Sequence, residues 1–287
     1  MRTTGLLATA VSAAVTLAMA VAQGAGAADV QRGAGLEVCR AKALGQLERL
    51  DPPGFTVYVA MRRKSDFLTW ITCDDLQLDL ATAVHESVHV LTEERDAYPL
   101  IGGGALPRLP AGLELAPPSI AAHRFDRQDI FVETYLLPGK ASSSEDVRYL
   151  LDELNAYTHD LSAAVALASL APGDREASHR DGLAALMAFL HGYLEEVRTH
   201  HPETWKTLAQ GAPRRTISVL WSEAERVMGR SCRLAGFGTA APGFLGPVCS
   251  STSKGATSKG ALGVLLGRPP ACPVTCLRPE LAHSARR

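Results

Sequence analysis

The sequence predicts an α+β fold that is mainly helical, with a small antiparallel sheet placed just ahead of a long amphipathic helix. Three observations carry this expectation. The chain is 46% hydrophobic and 21% charged over 287 residues, an ordinary globular balance at a length that can bury a sizeable core. Two short runs, "FTVYVAM" (55–61) and "FLTWITC" (67–73), are rich in β-branched and aromatic residues. Beyond Ser142, apolar residues recur at helical spacing over most of the chain to about residue 235.

In chain order, residues 1–27 come first and stand apart from the fold. Arg2 precedes an apolar run from Gly5 to Ala22, and Ala18-Met19-Ala20 or Ala25-Gly26-Ala27 offers the small residues that suit signal peptidase. This segment reads as a signal peptide, so the protein is expected to be secreted or periplasmic, with no stable membrane insertion after cleavage. A domain over residues 28–235 follows, then a Gly/Pro/Ser-rich, cysteine-containing tail over 236–287.

Within the domain, Leu36, Val38, Ala43, Leu44, Leu47 and Leu50 have helical spacing, and Pro52-Pro53 end that helix. The two β-rich runs come next, with Arg62 to Asp66 as a hairpin connection. The stretch "ATAVHESVHVLTEER" then places Ala81, Val84, Val88 and Leu91, with Leu80 just before it, on one helical face. "IGGGALPRLPAGLELAPPS" has the Gly and Pro density of a long loop, and "RQDIFVETYLL" suits a short helix or a strand. Ser142, three residues before Glu145, has capping-box spacing for a long helix that closes at Pro172-Gly173. Further helices are expected in "DGLAALMAFLHGYLEEVRTHH" and "RRTISVLWSEAERVMGR", and the tail repeats "TSKGA" at Thr252 and Thr257 as linker-like sequence.

Six cysteines, an even number, agree with export. Cys39 and Cys73 are the first expected pair, and Cys232, Cys249, Cys272 and Cys276 are expected to staple the tail to itself. The formal net charge of -1, without a basic stripe, argues against nucleic acid as a partner.

The chemistry concentrates in "HESVH". On a helix, His85 and His89 lie about 40° apart around the axis, so both imidazoles reach one ion, while Glu86 projects about 100° from His85, beside that ion. Chance yields such a pattern on the order of 0.02 times in a chain of this composition, which makes accident a poor explanation.

This arrangement resembles the HExxH helix of the zincin metallopeptidases. The resemblance implies a zincin-like domain in which His85 and His89 bind Zn²⁺ and Glu86 is the general base. It further implies hydrolysis of peptide bonds by a zinc-bound water, with a peptide or protein as substrate. The longer pattern with Gly and His is absent, since Thr92 and Arg95 stand at those positions, so the third ligand is expected from a later helix. Glu153, 64 residues after His89, is the first candidate and is similar to the glutamate ligand of gluzincins, with Glu133 and His159 as alternatives. On the helical wheel Glu153 and Tyr157 flank the apolar face, whereas His159 points largely away from it.

Tyr157 is a candidate hydrogen-bond donor to the oxyanion that forms as water adds to a carbonyl. Asp160 is a candidate for orienting a ligand histidine. "FLTWITC", read as an edge strand, offers a line along which a peptide could pair. Two competing classes stand beside the peptidase: a non-catalytic zinc-binding exported protein whose site is closed by a fourth protein ligand, and a metal-free helical binding module.

Overall fold

The computed structural model describes residues 35–172, 177–250 and 260–277, so the expected signal peptide and all of the "TSKGA" repeat except its last two residues lie outside the described residues. The fold is mainly helical with one small antiparallel sheet. α1 spans 35–50. α2 (Pro52–Ala60), α3 (Lys64–Thr69) and α4 (Leu76–Arg95) follow closely.

Two expectations change here. The runs 55–61 and 67–73, expected as a hairpin ahead of the motif helix, lie in α2, α3 and their flanking turns. Pro52 and Pro53 sit at the first positions of α2, where the fixed φ of proline suits a helix start and its missing N–H costs nothing. Val57, Met61, Phe67 and Ile71 are buried, yet Val59, which a strand would place on the same face as Val57 and Met61, is 57% exposed. Packing of the four-residue spacing against α4 overrides β propensity.

The sheet lies after the motif helix instead. β1 (Ala97–Pro99) pairs antiparallel with β2 (Ala105–Pro107), inside the stretch expected as loop. Gly103 and Gly104 have φ of 91° and 81° and make the turn that a side chain would strain.

α4 begins at Asp75, whose carboxylate accepts from the Leu78 N–H at 3.1 Å. It ends at Asp96 in the left-handed conformation. Its partner is α6 (Val147–Ala166), which starts not at Ser142 but at an Asp146 cap, the residues Ser142–Ser144 forming a separate 3₁₀ turn. Gln77 reaches the carbonyl of Ala164 at 3.1 Å, while His89 reaches Asp152 at 2.7 Å, so the two helices run antiparallel. The β1 hairpin is tied to α6 through the Pro99 carbonyl, which accepts from Asn155 Nδ2 and His159 Nε2.

α5 (Ile130–Tyr135) resolves "RQDIFVETYLL" as a helix, capped by the Asp129 carboxylate. α7 (His179–His200) and α9 (Gly211–Ser231) pack on α6, and α8 (Pro202–Leu208) packs on α7 and α9. Beyond them come α10 (Ala241–Ser250), α11 (Ala261–Leu266) and α12 (Val274–Leu277).

The described part of the tail packs onto the body. Asp181 accepts from the Thr239 and Ala241 N–H groups, Glu195 accepts from Ala261 N–H, and the buried Glu225 binds Arg268 and Ala271 N–H. Cys39–Cys73 forms as expected, and Cys249–Cys272 closes within the tail. Cys232–Cys276, however, joins the tail to the end of α9, so the four later cysteines do not staple the tail to itself alone. The three bridges are compatible with an oxidising compartment. Among the described residues no helix is long and apolar enough to cross a membrane.

One packing detail yields a sharp test. A Cβ at Gly182 in α7 would lie 2.1 Å from Cε1 of Tyr157, a ring already held between His85 and Tyr135. Gly→Ala in a helix gains about 1 kcal/mol in propensity, but overpacking costs about 1–3 kcal/mol. The clash should win, so Gly182→Ala is expected to lower stability by up to about 2 kcal/mol in urea unfolding. Gly229→Ala on α9, where a Cβ meets nothing within 4 Å, should raise it by about 0.5–1 kcal/mol.

Candidate metal centre

The α4–α6 pairing brings the expected residues together. His85 and His89, one turn apart on α4, and Glu153 on α6 each offer an atom, and these atoms lie within 4.8 Å of one another. The two Nε2 atoms are 3.2 Å apart, and His89 Nε2 is 3.6 Å from a Glu153 oxygen. Tetrahedral ligands at 2.0–2.1 Å from an ion are themselves about 3.3 Å apart, so the spacing fits one small divalent cation. The donor chemistry, two imidazoles and a carboxylate, suits zinc among other ions.

The second carboxylate at this centre was missed by sequence reasoning. Asp152 Oδ2 lies 2.7 Å from Nδ1 of His89, which fixes the ring so that Nε2 faces the shared point. The signal was present in "LLDELNAYTHDL", since a residue beside a ligand on a helix is well placed to meet the neighbouring ligand, but nothing local selects Asp152 over Asp160. Asp160 makes no hydrogen bond to either candidate ligand histidine among the described residues. It accepts from Nδ1 of His179 at 2.8 Å, a pair buried behind the site.

The alternatives for the third ligand are drawn elsewhere. Glu133 is half exposed and pairs with Lys140 at 3.1 Å. His159 is buried and spends its Nε2 on the Pro99 carbonyl, contrary to the expectation that it would point away from the core. The wheel failed there because α6 is covered by α4, α7, α9 and β1, so almost no side of it is free.

Electrostatics favour a cation. Burial, reinforced by His89, holds His85 down at about 4. Burial opposes charge on His89 too, but its hydrogen bond to Asp152 and the Glu153 carboxylate 3.6 Å away outweigh this and hold it up at about 10. One neutral imidazole thus sits with two carboxylates around the second, a field that stabilises added positive charge. Burial raises Glu86 above the usual carboxylate range, with the Glu153 and Asp160 charges acting in the same direction and His89 against them. A carboxylate raised in this way is a better proton acceptor.

Tyr157 stands beside the candidate ligands, its ring edge-on to His85 at 4.7 Å between centroids. Its hydroxyl is 2.8 Å from that of Tyr135 at the end of α5, a neighbour that the sequence did not reveal. Burial, with the Glu153 charge, pushes Tyr135 up to about 12, and burial with Tyr135 pushes Tyr157 well above its ordinary value. Both phenols are therefore protonated at neutral pH. One proton serves the bond between them, and the other is available to an outside acceptor.

Comparison with known proteins finds no matching family model, no matching curated protein and no matching solved structure.

Proposed function

We propose that this protein is an exported, zinc-dependent peptidase of the zincin kind, with His85, His89 and Glu153 as ligands and Glu86 as general base. The observation that carries the reading is the convergence of those three ligand atoms within 4.8 Å, with Glu86 following His85 on the same helix. Among the described residues the group has three members, which leaves a position for water and favours a catalytic over a closed structural site.

Zinc held there supplies a Lewis acid that lowers the pKa of water and polarises a carbonyl. Glu86 takes a proton from the attacking water as its oxygen bonds to the peptide carbonyl carbon. Tyr157, or Tyr135 through the same hydroxyl pair, donates to the oxygen that gains charge. Glu86 then passes its proton to the amine nitrogen as the C–N bond breaks. Asp152 keeps His89 oriented throughout. The run "FLTWITC" offers no edge strand for backbone pairing of a substrate, because those residues lie in α3 and the turn after it.

Elemental mass spectrometry of the purified chain tests the metal. About one zinc per chain is expected, lost in His85→Ala and weakened in Glu153→Ala. A folded wild-type chain that takes up no zinc when zinc is supplied removes the peptidase reading.

A further inference from the structure

A cavity of about 570 Å³, partly open to solvent, lies between α7, α10 and the segment from Arg124 to Val132. Its size is that of a small-molecule site. Phe125 and Phe244 wall it, and both pack edge-on against Phe189, at 5.0 and 6.0 Å, so their rings are held in place. Gly243 leaves the wall recessed, because a Cβ there would meet nothing within 4 Å. Ala188 and Val132 add small apolar surface. None of His85, His89 and Glu153 lines it.

His191 lines the same cavity, and its Nδ1 is buried without a hydrogen-bond partner. Burial pushes this imidazole below its usual pKa, so it is neutral and presents one donor and one acceptor. A buried nitrogen left unpaired is costly, and a ligand atom that bonds it after a small rotation of the ring removes that cost.

Charge narrows the chemistry further. Arg124 commits Nε and Nη2 to Glu196, at 2.6 and 2.5 Å, and so is already neutralised. Asp126 and Asp129 stand on the same wall, where they accept backbone N–H groups and repel an anion.

We infer that this cavity binds a neutral, apolar, largely aromatic small molecule carrying one polar atom that bonds Nδ1 of His191. Phe131 packs on both Phe244 of the cavity wall and Tyr157 beside the candidate metal site, but none of the proposed zinc ligands lines the cavity, so its binding of a probe can be measured without reference to peptidase activity. The cavity also places the tail in a binding role, since Gly243 and Phe244 belong to α10.

The test is fluorescence titration of the full chain with N-phenyl-1-naphthylamine, a neutral aryl amine with a single N–H. Saturable binding of one probe per chain is expected, with a rise in melting temperature. Gly243→Phe, which fills the recess, should weaken the probe by about tenfold or more, and Gly243→Leu should do so less strongly. His191→Leu should weaken the amine more than 1-phenylnaphthalene, which lacks the N–H. Asp126→Lys, at an exposed rim position, should raise affinity for the anionic probe 8-anilino-1-naphthalenesulfonate severalfold. Absence of saturable binding to wild type overturns the assignment, as does Gly243→Phe or Gly243→Leu binding the amine as tightly as wild type at an unchanged melting temperature. Equal loss of both neutral probes in His191→Leu overturns the role of Nδ1, and unchanged sulfonate affinity in Asp126→Lys overturns the preference for a neutral ligand.

Discussion

Replacing Glu86 with glutamine is expected to leave about one zinc bound per chain and to lower peptide hydrolysis by roughly 10²–10⁴-fold. Glu86 is not among the three residues whose ligand atoms converge, so the metal should be held as before. Glutamine matches glutamate in shape but cannot take up a proton at neutral pH, which isolates proton transfer from packing. The Glu86 side chain is raised above the usual carboxylate range chiefly by burial, so its removal withdraws a base already tuned toward neutrality. Turnover of a mixed peptide library and metal content measured on the same preparation decide the matter. A variant that keeps its zinc and cleaves as fast as wild type would sink the mechanism. A wild type that binds zinc and cleaves nothing would favour the non-catalytic zinc protein.

Asp152→Ala should weaken zinc by about 10–100-fold without removing a ligand. The carboxylate is buried and lies 2.7 Å from His89 Nδ1, so alanine frees the imidazole to rotate and leaves its N–H unpaired. Asp152→Asn retains an acceptor of the same shape and is expected to fall between alanine and wild type. Asp160→Asn supplies the contrast. Asp160 lies about two turns further along α6 and bonds His179 instead of a proposed ligand, so its effect on zinc should be much smaller. Competition against a zinc chelator of known affinity reads all three. Equal losses for Asp152 and Asp160 would mean that general negative charge, not orientation of His89, sets the affinity.

How much of this was legible before the fold differs from residue to residue. His85, Glu86 and His89 were readable because a helix places i and i+4 on one face wherever that helix is located. Glu153 was readable because it flanks the apolar stripe of α6, and that stripe had to face something. Cys39–Cys73 also formed as expected. By contrast, 55–61 and 67–73 carry the β-branched and aromatic residues of strands yet fold into helices and their flanking turns, since α4 offered a surface that rewards a four-residue repeat. The two short strands were hidden in a Gly- and Pro-rich stretch because three residues each are too few to leave a periodic trace.

The sequence alone therefore determined what is local: a mainly helical chain and the presentation of His85, Glu86 and His89 on one helix, with Glu153, 64 residues further on, as the first of three candidate ligands. Tertiary packing decided the rest. It chose Asp152 over Asp160 as the carboxylate on His89, set Tyr135 against Tyr157, turned His159 inward to Pro99, and seated the tail on α7 and α9. Helical periodicity states which residues share a face but not which face of another helix they meet. That choice belongs to the antiparallel register of α4 on α6, where contacts between residues 63 and 87 positions apart are made together or not at all.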